Sequence, residues 1–255
     1  MIRGVLIDMS GVVYSGEELI AGSAAAIDRL RQAGLPVRFV TNSTRKSKRL
    51  ILEQLSAMGL EINKDEVFTP AAAACDILVD KQLAPHLLIH PALAEDFSDI
   101  PAGEELALVV GDAADGFTFA AMNEAFRVLD GDAPFYALAK NRAFLDADGQ
   151  RSIDAGAFVS ALEYASGTEA TVLGKPSRSF FEAAAHSMGV ELHDCAMIGD
   201  DAEADVSGSL AAGVGKGVLV RTGKYQPGDE NGFEPIPSVV AEDLSGAVAW
   251  LLEDH

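Results

Sequence analysis

Cysteine is scarce in this chain of 255 residues: only Cys75 and Cys195 occur, far apart in sequence. Two distant cysteines form neither a disulfide framework nor a metal knuckle, and both read as small core residues. Long apolar runs are missing too. None reaches the roughly 18 residues that a membrane span needs. The opening "IRGVLID" has no charged leader, long apolar stretch or cleavage site, so a cytoplasmic protein without a signal peptide is expected. Basic residues are few: 19 Lys and Arg against 39 Asp and Glu give a formal net charge of -20. That field repels a nucleic-acid backbone or an anionic membrane, so neither is expected as a partner. It does not exclude an anionic substrate, because one metal ion and one lysine can reverse the sign locally.

What is present is an alternation of apolar and amphipathic stretches, 49% hydrophobic and 23% charged, which predicts an ordered globular protein. "GVLID" predicts a buried strand and "SAAAIDRLRQAG" a helix closed by Gly34. "VRFVTN" predicts a second strand, and "SKRLILEQLSAMG" a helix with Ile51, Leu55 and Met58 on one face. This βαβα opening predicts a parallel sheet. After Pro70 the pattern restarts. "AAACDILVDKQ", "FAAMNEAFRVLDGD" and "AGAFVSALEYASG" predict helices between the strands "HLLIH", "LALVVGD" and "PFYALAK". Then come the strand "EATVLGKPS", the helix "SFFEAAAHSMG", the strand "CAMIGDD", the helix "DVSGSLAAG", the strand "GKGVLVRTG" and the helix "LSGAVAWLLE". One compact sheet seldom holds so many β/α units, so two α/β domains are expected, a core of residues 1–69 and 171–255 around an insert of residues 70–170.

Ligands of open parallel sheets bind beyond the carboxyl ends of the strands. Four predicted strands end in chemically capable residues: Asp8 and Ser10; Thr41, Asn42 and Ser43; Lys175; and Asp200, Asp201 and Asp205. Each group has a plainer reading: a turn after the first strand, a helix N-cap in "TNSTRKS", a solvated lysine in "GKPS", and acids complementing a helix N-terminus in "GDDAEAD". Together they supply carboxylates, one ammonium and short hydroxyl and amide donors, a mixture suited to a hard cation with a phosphoryl group. Competing motifs fail. Around Gly174-Lys175 and Gly215-Lys216 the flanking residues do not make a P-loop, and no strand is followed by G-x-G-x-x-G. His90 ends an apolar run, and a satisfied structural role is expected for it.

In this order the segments resemble the haloacid dehalogenase superfamily of phosphatases, whose pattern is D-x-D-G-T/V, a strand ending in Ser or Thr, a Lys, then G-D-x4-D. Asp8, Thr41, Lys175, Asp200 and Asp205 match it. The long insert between Thr41 and Lys175 looks like a C2-type cap. The resemblance implies a Rossmann-like, doubly wound parallel-sheet core with an inserted α/β cap domain. It implies that Asp8 is a nucleophile forming an aspartyl-phosphate and that Lys175 balances the charge of Asp8 and the phosphoryl group. Mg2+ would be held by Asp8, the Ser10 backbone carbonyl and Asp200, with Asp205 holding metal-bound waters. Ser10, Thr41, Asn42, Ser43 and Lys175 make up the implied phosphate-binding set. Asp201 falls at a variable position without a role. The implied substrate is a small phosphorylated compound or a phospho-amino acid, and homodimer formation is left open.

Ser10 departs from the family pattern. Most members carry an Asp there, which protonates the leaving group and later activates water. Its loss removes a general acid worth roughly 10²–10⁴ in rate. Poor leaving groups such as sugar alkoxides suffer most. Phosphoramidates (phospholysine, phosphohistidine), inorganic pyrophosphate and aryl phosphates suffer least, and these are the expected substrates. A general small-molecule phosphomonoesterase and a weakly active phospho-ligand-binding protein are the alternatives.

Overall fold

The computed structural model describes residues 1–145 and 150–253, the side chain of Leu145 excepted. It divides into two compact units. One comprises Met1–Thr41, Leu52–Phe68 and Lys175–His255, the other Asn42–Ile51 and Thr69–Gly174.

The first unit is built on a six-stranded sheet. Its strands in spatial order are Val239–Ala241, Lys216–Val220, Cys195–Gly199, Gly4–Asp8, Val37–Val40 and Val67–Phe68. Every pairing is parallel, as the βα alternation predicts. All five residues of Gly4–Asp8 are buried, which fits a central strand covered on both faces. From this strand the chain first builds outward through Val37–Val40 to Val67–Phe68. After the insert it builds outward on the other side, through Cys195–Gly199, Lys216–Val220 and Val239–Ala241. The strand order therefore reverses between Gly4–Asp8 and Cys195–Gly199, and a sheet of this kind opens a crevice at that point.

Helix Arg178–His186 packs over the sheet through Phe180, Phe181, Ala184 and Ala185, which join Leu6, Val40, Cys195 and Met197 in one cluster. Burial of each phenylalanine contributes about 1.5–3 kcal/mol. Both cysteines are inert by environment. Burial first, and the charges of Asp96, Asp76 and Asp99 second, push the Cys75 thiol up to about 12. Burial and then Asp194 push Cys195 up to about 11. Thiolate is the reactive form, so native-state alkylation at pH 8 is expected to run about a hundredfold slower at Cys195, and about a thousandfold slower at Cys75, than for an ordinary thiol. Timed iodoacetamide labelling with and without denaturant checks this, and fast native labelling of Cys195 would contradict the packing.

The second unit carries a four-stranded parallel sheet in the order Thr171–Val172, Phe135–Ala137, Leu106–Val110 and Ala84–Leu88. Helix Pro70–Lys81 has Thr69 as N-cap, accepting from the Ala72 N–H at 3.2 Å, and Pro70 in its first turn. His90 is structural: its Nδ1 accepts the Ala92 N–H at 3.2 Å and caps the short helix Pro91–Phe97.

Three local features differ from the expectations. The edge strands Val67–Phe68 and Val239–Ala241 are too short to show a pattern in the sequence. The "DVSGSLAAG" segment is a π-helical turn, Ala202–Ser207, running into a short α-helix, Gly208–Ala212. The strand in "EATVLGKPS" is only Thr171–Val172 and pairs with Tyr136 and Ala137 in the second unit's sheet, not in the core. Lys175 therefore opens the return segment of the first unit instead of ending one of its strands.

Candidate active site

Asp8 is the last residue of the central strand and Asp200 follows its neighbour Cys195–Gly199 directly, so both carboxylates stand at the crevice where the strand order reverses. Asp205 sits in the π-helical turn, where Val206 beside it packs with Ala202 and Leu219. Asp8, Asp200 and Asp205 are all buried, and each offers an oxygen within 4.8 Å of the others. Lys175, 3% exposed, completes the group. Its Nζ donates to Asp8 Oδ1 and pairs with Asp205 Oδ1 at 2.7 Å, with the Val40 carbonyl at 3.4 Å. The Asp201 N–H donates to the other Asp205 oxygen at 3.2 Å.

Burial would pull the Lys175 ammonium down, but the Asp205 and Asp8 charges overcome it and hold its pKa well above the ordinary value. Lys175 is therefore a fixed positive charge. Three carboxylates against one ammonium leave an excess of negative charge in a dry place. Burial first, then Asp8 and Asp205, push Asp200 up to about 8, against the opposing Lys224 amide. Burial first, and Asp8 among the neighbours, raise Asp205 to about 6 despite Lys175. An all-oxygen donor set that holds a proton for want of counter-charge fits a hard divalent cation such as Mg2+.

Of the remaining residues predicted for the site, Thr41 is buried directly after strand Val37–Val40. Ser10 is exposed and pairs by a single bridge with Tyr14. Asn42 and Ser43 follow Thr41 in the chain and are half-buried in the second unit. Asp201, without a predicted role, caps the π-helical turn by accepting the Glu203 and Ala204 N–H groups at 3.1 and 2.9 Å. Two neighbours carry no signal in the sequence. Burial first, and the Asp8 charge second, push the Tyr14 phenol up to about 12. Lys224, beyond strand Lys216–Val220, donates its backbone N–H to Asp200 Oδ2 at 2.7 Å.

Residues 5–102 match the haloacid dehalogenase-like hydrolase family, and residues 172–247 match the HAD-hydrolase-like family. Phospholysine phosphohistidine inorganic pyrophosphate phosphatase of Rattus norvegicus is 42% identical over 258 residues, covering 99% of this chain and 95% of that protein. The chain belongs to the haloacid dehalogenase-like hydrolases. Haloacid dehalogenase-like hydrolase domain-containing protein 2 of Bos taurus is 39% identical over 99% of this chain and 96% of its own length. Among solved structures, a p-nitrophenyl phosphatase from Archaeoglobus fulgidus superposes with a TM-score of 0.87 at 27% identity, over 98% of this chain and 99% of that one. This haloacid dehalogenase-like hydrolase is thus a phosphatase by kinship, with a parallel-sheet α/β core. No helix among its described residues is long and apolar enough to cross a membrane.

Proposed function

We propose that this phosphatase hydrolyses small phosphorylated compounds with good leaving groups, through an aspartyl-phosphate on Asp8 and with Mg2+ as cofactor. The observation that carries the proposal is the buried Lys175 bridging Asp8 and Asp205 beside Asp200, at the reversal point of the sheet. A buried carboxylate beside a permanently charged lysine, at the carboxyl end of the central strand, supports a nucleophilic role for Asp8.

Asp8, Asp200 and the Ser10 backbone carbonyl would hold the ion, with Asp205 holding its waters. Bound there, Mg2+ supplies charge stabilisation to the phosphoryl oxygens. Lys175 offsets the negative charge that Asp8 and the phosphoryl group bring together. The Asp8 carboxylate attacks phosphorus in line, and the bond to the leaving oxygen or nitrogen breaks with its electron pair. Water then attacks the same phosphorus, releasing phosphate and restoring Asp8. Thr41, Asn42 and Ser43 donate to the phosphoryl oxygens, and the inserted residues 70–170 act as a cap that selects the leaving group.

The preference for good leaving groups rests on Ser10. A hydroxyl cannot protonate an alkoxide as a carboxylic acid can, and Asp8, Asp200 and Asp205 are already committed. The relative named for phospholysine, phosphohistidine and inorganic pyrophosphate, 42% identical, supports the same substrate class. A panel of phosphoramidates, pyrophosphate, aryl phosphates and alkyl phosphates tests it. The first three are expected to exceed alkyl esters in kcat/KM by about 10² or more. Equal rates for alkyl and aryl esters would replace this reading with that of a general phosphomonoesterase. Chelation is expected to lower turnover by about a hundredfold or more, reversibly on adding Mg2+, because the ion's share is several kcal/mol. Undiminished turnover in excess chelator would remove the cation from the proposal.

A further inference from the structure

The turn in "RTGKY", beyond strand Lys216–Val220, reaches Asp200 in more than one way. The Lys224 N–H donates to Asp200 Oδ2 at 2.7 Å. Gly223, at φ +64, and Gly11, at φ +89, approach the same carboxylate so closely that a Cβ on either would overlap Oδ2. That Cβ would also meet the Cα of the other glycine, at 2.7 Å from Gly223 and 2.9 Å from Gly11. Both positive φ values suit glycine and strain any other residue. The Thr222 hydroxyl donates to the Gly11 carbonyl, tying this turn to the one after the central strand. Lys224 Nζ pairs with Asp201 Oδ2 at 3.0 Å, so the acid left without a role anchors the far end of the turn. Lys224 is 59% exposed, and a pair so exposed contributes little by itself. The Lys224 N–H, the two glycines and the Thr222 hydroxyl carry the effect.

We infer that the turn Thr222–Lys224 is a positioning element for the cation site. It pins one oxygen of Asp200 between two glycines and an amide, and so presents the other oxygen to the ion. A free carboxylate turns about two torsions; this one is fixed before the ion arrives, which spares the ion that ordering cost. The inference rests on the proposed Mg2+ site at Asp8 and Asp200.

The test measures Mg2+ affinity directly, by isothermal titration of the metal-free full chain, beside kcat and KM at saturating Mg2+. Gly223→Ala is expected to weaken Mg2+ binding about tenfold to a hundredfold, the usual cost of losing a partner that orients a metal ligand. Gly228→Ala controls for backbone strain. Gly228 also has a positive φ, +105, but nothing lies within 4 Å of its Cβ position. It is expected to stay within twofold of wild type in Mg2+ affinity. Thr222→Val is expected to weaken binding severalfold. Saturating Mg2+ is expected to restore kcat with substrate KM unchanged. Lys224→Met removes only the exposed pair and keeps the backbone N–H, so it is expected to stay within twofold of wild type in Mg2+ affinity. If Gly223→Ala fails to fold, Thr222→Val decides. The inference is overturned if Thr222→Val binds Mg2+ as tightly as wild type, or if Gly228→Ala loses as much affinity as Gly223→Ala. Asp200→Asn tests the underlying site separately. If Asp200→Asn binds Mg2+ like wild type, the proposed cation site itself is wrong.

Discussion

Asp8→Asn is expected to lower kcat on the order of 10⁵-fold or more, the scale on which removal of a nucleophile acts in a tightly coupled catalytic group. The amide is a far poorer nucleophile than the carboxylate. Stability is expected to move the other way. In the metal-free protein Asp8 is one of the charges that raise Asp200 and Asp205. Removing it relieves that repulsion, and Lys175 keeps Asp205 at 2.7 Å as its counter-ion. The melting temperature of metal-free Asp8→Asn is therefore expected to equal or exceed that of wild type, so that lost activity cannot be ascribed to lost fold. Acid-quenched wild type turning over an aryl phosphate is expected to carry one phosphoryl group on the peptide containing Asp8. Substantial turnover by the folded variant without a phosphoryl-enzyme would mean that water attacks the substrate directly, and phosphate appearing elsewhere in the chain would mean that another side chain is the nucleophile.

Ser10→Asp is expected to raise kcat/KM for alkyl phosphates by up to about 10²–10⁴, the range of general acid catalysis. Phosphoramidates and aryl phosphates are expected to gain little, because their leaving groups depart without an enzyme proton. The choice of kcat/KM matters. It reports the steps through release of the leaving group, whereas kcat also contains hydrolysis of the aspartyl-phosphate, which a new carboxylate can accelerate for every substrate alike. The ratio of alkyl to aryl kcat/KM, at fixed Mg2+ and several pH values, isolates the leaving-group effect. Ser10 is exposed, so the longer side chain meets no packed wall. If the folded, metal-replete variant leaves the ratio unchanged or lowers it, the account of Ser10 fails.

The parallel sheet can be read from the sequence because its two innermost strands are continuous apolar runs that a carboxylate ends or directly follows. "GVLID" and "CAMIG" were visible at their full lengths. Asp8 and Asp200 stood out for the same reason: each breaks a buried run at its carboxyl end. Lys175 stood out in type but not in placement. A two-residue strand carries no periodicity, and nothing in "TVLGK" says which of two sheets Thr171–Val172 joins. Lys224 and Thr222 were illegible for another reason. They act on Asp200 and Gly11 through a backbone N–H and a short hydroxyl across more than twenty residues of chain, and such contacts leave no spacing to detect. Asp201 looked like a surplus acid because its partners, two main-chain amides and an exposed lysine, exist only once the turn is formed.

The central strand also sets a timetable for synthesis. Val5 pairs with Val37 on one side and with Ala196 on the other. On a ribosome adding about 5–20 residues per second, the first partner follows within seconds, and the second about eight to thirty seconds after it. Through that interval a strand with no exposed residue has one unpaired edge, of the kind that templates aggregation. The long sequence separation also makes closure of the sheet a late, slow event in folding. Nascent chains stopped before Cys195 are thus expected to need chaperones far more than the finished protein does.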